Sequence, residues 1–460
     1  MPKPLHFNAF VMNTASHIHH GQWRRPDAGQ TEFHDVHTWI NLARILEEAK
    51  FDAMFFADVS GLYGDSDADF DVYVNEGLQI PSNDPTVLLG ALAVATEHIG
   101  LATTSNVFQN HPFNFARQIS TLDHISNGRI AWNIVTGTQD NGSRNYGLPA
   151  LTDHQERYAW ADEYVDVAYK LWEGSWDDDA LLKDRAGSRF SDPRKIHKIH
   201  HSGPRYSVEG PHLPSPSPQR TPLLFQAGSS ASGRDFAARN AEATFIISPN
   251  PDVAGQIIAD TRRRAVAYGR RATDIKFFPG LSFIIGETEA EARAKAEEYD
   301  RYVSIDGYLA HAAIVDKTGR VYPPGTPLSQ VDTNTMKGFT EWLQKAITDR
   351  EPVVGDLAWL QARANRIVGT PEQIADELER WQAVGVDGIN VMNWVIPGSF
   401  AEFADHVMPV LRDRGLAQSE YAPGTLRKKL FGHDRLPDTH PAARYRGAFA
   451  PESNLVEVHA

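Results

Sequence analysis

The sequence predicts an α/β fold, a TIM (β/α)8 barrel carrying insertions. Three observations lead there: 460 residues of ordinary globular composition, short apolar runs alternating with helical patterns, and eight such pairs with no compositional break between them. Parallel strands need long crossover connections, and the intervening stretches have the length and period of helices. A doubly wound sheet is the competing arrangement for the same alternation.

"LHFNAFVM" is the first strand. "HTWINLARILEEAKF" spaces its apolar residues as an amphipathic helix does, and "DAMFFADV" reads as a buried second strand ending in Asp58. "PTVLLGALAVATE" precedes the strand "IGLATTSNV", "FNFARQISTLDHISNG" precedes "RIAWNIVTG", and "HQERYAWADEYVDVAYKLWEG" closes the first half. Residues 175–220, rich in Asp, Pro and His with little period, read as an insertion. The alternation resumes with "TPLLFQAG" before "SASGRDFAARNA", "ATFIISP" before "PDVAGQIIADTRRRAVAYG", and "IKFFPGLSFIIG" before "TEAEARAKAEEYDRYV". Residues 305–365 form a second insertion, after which "TPEQIADELERWQAVG", "VDGINVMNWV" and "GSFAEFADHVMPVLRDRG" complete one domain spanning 1–460. The tail, 417–460, is expected to lie on the surface or against another subunit.

A formal net charge of −14 argues against sequence-independent nucleic-acid binding, which needs a cationic face. The basic runs "TRRRAVAYGRR" and "PRKIHKIHH" read as a solvated helix face and a loop. There is no cysteine, so thiolate nucleophiles, disulfides and cysteine-ligated metals are excluded. No stretch approaches the length of a membrane span and the start has no targeting pattern, so a cytoplasmic protein is expected.

In such a barrel the functional groups sit at the carboxyl ends of the strands and in the loops that follow. That rule selects Asn13 to His20, Asp58 to Tyr63, Thr104 to His111, Thr136 to Thr138 and "QAGSSASGR". Most are uncharged hydrogen-bonders and aromatics, suited to a planar polar ligand. His17 and His19 form a His-x-His pair, but the fourth, fifth and last strands end in "IVTGTQ", "LLFQAG" and "GINVMNW", without acid, lysine or histidine. A metal site is therefore not expected, and His17 reads as a hydrogen-bonder or proton donor. "QAGSSASGR" offers amides and hydroxyls at a helix start, a phosphate seat. Arg234 and Asp235 stand where a Walker loop needs Lys and Ser or Thr, so nucleoside triphosphates are not expected there. His154 and Tyr158, four apart on one helix face, are placed to reach that seat. Asp58 can cap its loop or accept a hydrogen bond from a cofactor.

The motifs "HIHHGQWR", "KFDAMFFADV", "STLDHISNGRIAWNIVTG", "ERYAWADEYVDVAYKLWEGSW", "GPHLPSPSPQRTPLLFQAGSSASGRDFAA" and "LPDTHPAARYR" resemble the bacterial luciferase-like flavin monooxygenases. The resemblance is to the group containing nitrilotriacetate monooxygenase, pristinamycin synthase, dibenzothiophene sulfone monooxygenase and long-chain alkane monooxygenase. It implies a luciferase-like barrel, a homodimer or homotetramer, and a separate NAD(P)H-dependent flavin reductase supplying reduced FMN. Reduced FMN and dioxygen are then expected to form a flavin C4a-(hydro)peroxide that oxygenates or cleaves a small organic substrate. It further implies FMN contacts at Asp58, Thr104, Thr136, His154, Tyr158, Ser229 and Ser230, and a substrate side formed by His17, Tyr63, Gln79 and His311. Thr14 and Thr138 replace the cysteine and histidine of the alkane enzyme. With Asn13, Asn106, Gln109 and Gln139 they point to a polar or N-heterocyclic substrate, riboflavin included, over a sulfone, an aminopolycarboxylate or an alkane. A flavin carrier without catalysis and a deazaflavin-dependent dehydrogenase are the alternatives on the same barrel.

Overall fold

A computed structural model describes residues 3–63, 70–228, 230–316, 320–331, 343 and 347–450. Eight parallel strands follow one another around a ring: β1 (His6–Met12), β2 (Ala53–Ala57), β3 (Gly100–Asn106), β4 (Ile130–Val135), β5 (Leu223–Ala227), β6 (Ala243–Ile246), β7 (Lys276–Ile285) and β8 (Gly388–Met392). The register His6↔Gly388 joins the first strand to the last, and Ala243↔Lys276 closes β6 on β7, so the sheet has no free edge within the ring. This is the expected barrel, and the doubly wound alternative is excluded by closure.

Seven of the crossover helices are α1 (Val36–Glu48), α2 (Pro85–Ala95), α3 (Pro112–Ile125), α4 (His154–Tyr169), α5 (Ala231–Asn240), α6 (Pro251–Ala267) and α7 (Glu289–Asp300). Their starts are written locally: Asp35, Asp84, Asp153, Ser230, Asn250 and Thr288 each accept a first-turn backbone N–H. No described helix is long and apolar enough to cross a membrane.

Strand alternation divides the core in two. Phe7, Ala9 and Val11 of β1 pack outward with Trp39 and Leu42 of α1, while Phe10 points inward with Phe55, Ala102, Phe225 and Phe278. Each fully buried large side chain contributes roughly 1.5–3 kcal/mol by leaving water.

Two features differ from expectation. A ninth strand, Arg366–Gly369, pairs with the far half of β7 (Ser282↔Arg366) and ends the second insertion. The ten-residue β7 serves β6 with its first residues, β8 with its middle and the ninth strand with its end. The tail differs more. Instead of lying on the surface, the helix Leu426–Phe431 sends Leu426 and Leu430 into the inward-facing core cluster. Beside them the buried Arg427 donates two hydrogen bonds to Glu242, 2.6 and 2.9 Å, and others to the carbonyls of Gln219, Thr221 and Pro222. Those partners precede β5 and β6, so the tail plugs the amino-terminal end of the barrel. Composition could not show this, because the partners lie about two hundred positions away in the chain.

Candidate active site

At the other end of the barrel lies a cavity of about 370 Å³. Phe10, Ala57, Thr104, Asn133, Ala227, Phe245, Gly280 and Met392, one from each of β1 to β8, line it. Gly280 keeps it open, since a Cβ there would lie 3.0 Å from the Phe245 ring and 3.2 Å from the Met392 sulfur. His17, Asp58, Tyr63, Gln79 and His311 complete the wall with Gln361, Ala364 and Asn365. Six residues singled out in the sequence, His17, Asp58, Tyr63, Gln79, Thr104 and His311, are thus brought together from β3 and the segments after β1, β2 and β7.

The second insertion supplies the roof. His311 ends the short helix Ile305–His311, and Gln361 comes from the helix Val354–Arg363 packed beside it. Sequence reading passed over Gln361, Ala364, Asn365 and Asn133, because nothing local marks an insertion helix as covering a barrel mouth. The alternation of β4 did mark Asn133 as a polar residue inside a buried strand.

The histidine run after β1 is divided among several tasks. His20 Nε2 lies 2.6 Å from His311 Nδ1, and its Nδ1 is 3.1 Å from Ser16 Oγ. His19 stacks on Trp394 at 3.6 Å. His17 packs against Phe10, and its Nδ1 is buried without a partner. Burial, with the neighbouring His311 and His19, pulls the His17 pKa down to about 3, and burial pulls His311 to about 4. Both rings are therefore uncharged at neutral pH and offer hydrogen bonds, without an imidazolium proton to give.

Burial and the nearby Asp84 push Asp58 the other way, up to about 7, despite the opposing pull of the Val59 backbone and the Gln109 side chain. Burial also raises Tyr63, with the nearby Gln79 and Gln139 side chains pulling the other way. Thr104 Oγ1 donates to the Phe56 carbonyl at 2.8 Å and accepts from Asn133 Nδ2 at 2.9 Å.

Asn13, Thr14, Asn106 and Thr138 are not among the residues that line the cavity. Thr14 Oγ1 donates to the Pro81 carbonyl at 2.8 Å, and the Asn13 carbonyl accepts from Asn83 N–H. These bonds clip the segment carrying Gln79, which holds φ at +54° and donates its N–H to Ser16. Asn106 accepts from Phe108 N–H and donates its own N–H to Gln109 Oε1, while Thr138 is exposed.

A second cluster adjoins the cavity. Ser230 Oγ caps α5 by accepting from Gly233 N–H at 3.0 Å and lies 3.3 Å from His154 Nε2. Burial raises the Tyr158 hydroxyl pKa, and the neighbouring hydroxyls of Ser230 and Thr136 pull it the other way. A Cβ at Gly233 would meet Tyr158 Oη at 2.8 Å and Gly228 Cα at 3.0 Å, so the turn closes this tightly only around glycine. Arg157, passed over in the sequence, reaches the Gly137 carbonyl and leaves its Nε buried and unpartnered. Ser229 lies outside the described residues. Val135 and Ala227 line the cavity, and their chain neighbours Thr136 and Gly228 belong to this cluster, so the seat lies next to the cavity at the ends of β4 and β5.

The geometry fits a flavin mononucleotide on three counts. The hydroxyls and imidazole at the start of α5 suit a phosphate, and the apolar floor suits a flat ring. The orphaned polar atoms His17 Nδ1, Gln79 Oε1 and Asn133 Oδ1 need a polar partner at the mouth.

Comparison with known proteins agrees. The profile of the Luciferase-like monooxygenase family matches residues 12–388. The chain is 42% identical over 452 residues to the long-chain alkane monooxygenase of Geobacillus thermodenitrificans, covering 97% of this chain and 99% of the relative. It is 39% identical over 464 residues to the dimethyl-sulfide monooxygenase of Hyphomicrobium sulfonivorans, covering 99% and 97%. The crystal structure of a riboflavin lyase with modified FMN and riboflavin superposes with a TM-score of 0.87 at 35% identity, covering 96% of this chain and all of that one. The barrel, its mouth and these relatives together show that the chain belongs to the luciferase-like monooxygenase family and is a flavin-dependent monooxygenase.

Proposed function

We propose that this chain is the oxygenase of a two-component system. It takes reduced FMN from a separate NAD(P)H-dependent flavin reductase, and dioxygen from solution, to oxygenate or cleave a small polar or N-heterocyclic substrate. The observation that carries the reading is a largely apolar cavity lying next to a hydroxyl-rich helix start, one place for a flat ring and another for its phosphate. A relative named nitrilotriacetate monooxygenase component A, 34% identical over 435 residues, supports the division into components. The name and ligands of the riboflavin lyase support an N-heterocycle.

Ser230, His154, Tyr158 and Thr136, with Ser229, would hold the phosphate end, and Asp58 and Thr104 would face the ring. When bound, the reduced flavin supplies the electrons for activating dioxygen. The protein's own share is enclosure and orientation. Phe10, Ala57, Phe245 and Met392 keep water from the floor, and His17, Tyr63, Gln79 and His311 direct polar atoms at a substrate above it. Because His17 and His311 are neutral, they stabilise negative charge by hydrogen bonding. Asp58, which exchanges its proton near neutral pH, is the one carboxyl among the described residues lining this cavity and is suited to moving a proton at working pH.

The test is an anaerobic titration with oxidised and with reduced FMN, followed by mixing with isotopically labelled dioxygen and riboflavin or another polar heterocycle. Preference for the reduced form and label in the product are expected. Equal binding of both forms with no label in any product would make the chain a carrier, and binding of a deazaflavin in place of FMN would make it a dehydrogenase.

A further inference from the structure

Ser16 and His20 do not line the cavity, yet they form a chain of hydrogen bonds that ends on a residue that does. Both are almost completely buried, at 2% and 1% exposure. Ser16 Oγ lies 3.1 Å from His20 Nδ1, and His20 Nε2 lies 2.6 Å from His311 Nδ1. The His20 ring also packs edge-on against Tyr308, at 4.9 Å between centroids.

Two neutral imidazoles in contact need one N–H and one bare nitrogen between them, so the chain of bonds runs in one of two directions. In the first, the Ser16 hydroxyl donates to His20 Nδ1, His20 Nε2–H donates to His311 Nδ1, and the His311 proton is left on Nε2. In the second, every bond is reversed and His311 Nε2 is bare. The second direction makes Ser16 an acceptor only. Its hydroxyl proton is then buried with nothing to meet, because His20 is the one hydrogen-bond partner of that hydroxyl among the described residues. An orphaned buried donor is costly enough to select one tautomer. The first direction leaves no such orphan.

We propose that Ser16, acting through His20, fixes His311 as the Nε2–H tautomer, so that the residue enters the cavity as a hydrogen-bond donor and never as a base. His311 shares that wall with Tyr63, whose ring stands edge to face with it at 4.6 Å. A donor there recognises an acceptor atom, such as a carbonyl, ring nitrogen or anionic oxygen, in whatever occupies the substrate side. That last step rests on the monooxygenase reading, whereas the tautomer does not. Ser16 and His20 are positioning residues, since neither touches the cavity.

The experiment needs neither flavin nor substrate, so its failure is distinct from failure of the functional reading. The full chain is labelled with ring-15N histidine and examined by magic-angle-spinning NMR at neutral pH, with the His311 signals assigned by their loss in His311→Gln. The expected spectrum shows His311 with a protonated Nε2 and a bare Nδ1. Ser16→Ala is expected to give a mixture of tautomers at His311, and Ser16→Thr, which keeps the hydroxyl, to restore the single form. A protonated Nδ1 in the unmodified chain overturns the proposal without recourse to any variant. An unchanged tautomer in a Ser16→Ala protein that still melts cooperatively overturns it equally.

Discussion

His17, His19 and His311 are held at pKa values of about 3, 3 and 4, mainly by burial, and His20 lies well below its usual range for the same reason. In the unfolded chain these rings take up protons near pH 6.5, whereas the fold refuses them. Stability from these sites is therefore complete above about pH 6.5 and is lost as the pH falls from there toward 4. Each ring can cost up to roughly 1.4 kcal/mol per pH unit over that window. The urea midpoint is expected to drop steeply between pH 7 and 5, and His19→Phe, which keeps the stack on Trp394 but cannot titrate, is expected to shrink that drop. Asp58 has the opposite sign. Its folded value near 7 is above the unfolded one, so its contribution is full below about pH 4 and is lost as the pH rises through 7. Asp58→Asn should stabilise the flavin-free protein at pH 8, and any limb near pH 7 in the activity profile should vanish with it. A limb that persists in the Asn variant would assign that titration to another group.

At the scale of elements, the start of α5 is both a structural cap and the proposed phosphate seat, and the two roles separate experimentally. Ser230→Ala removes the bond from Gly233 N–H and is expected to cost about 1 kcal/mol of stability. Tyr158→Phe leaves that cap in place. If the seat holds a phosphate, both variants lose affinity for FMN by roughly tenfold or more, the worth of a hydrogen bond to a charged group, while riboflavin affinity stays unchanged. Fluorescence titrations with the two flavins give the ratio directly, and equal losses for both would move the phosphate elsewhere.

Across the whole molecule, the carboxyl end of the barrel is built for chemistry and the amino end is closed by the chain's own tail. Arg427 and Glu242 are buried against each other, and either one alone would be an uncompensated charge in the interior. Arg427→Met is expected to cost about 3–5 kcal/mol, and the pair Arg427→Met with Glu242→Leu to recover much of it. Leu426→Ala should cost about 2–5 kcal/mol by opening a cavity under the β-barrel interior. Chemical denaturation of the three variants measures all of this, and a neutral Arg427→Met would show that the tail is dispensable to the barrel.

Much of this was legible in the chain itself. The alternation of apolar runs and helical periods determined eight strands and their order, because a strand buried on both faces and an amphipathic helix each write their period locally. The barrel rule then pointed to His17, Asp58, Tyr63, Thr104 and Ser230 as residues at strand ends, and the motif resemblance added Gln79 and His311, whose positions carry no local signal of where they fold. Tertiary structure decided the rest. The sequence offers Asn13 and Thr14 as hydrogen-bonders to a polar substrate, yet their bonds run to Asn83 and Pro81, partners that no local pattern announces. His20 meets His311 across 291 positions, Arg427 meets Glu242 across 185, and the ninth strand borrows the far half of β7. Periodicity reports which face of an element is buried. Only the folded chain shows what lies on the other side of that face, and there the tautomer of a histidine, the plug of a barrel and the roof of a cavity are settled.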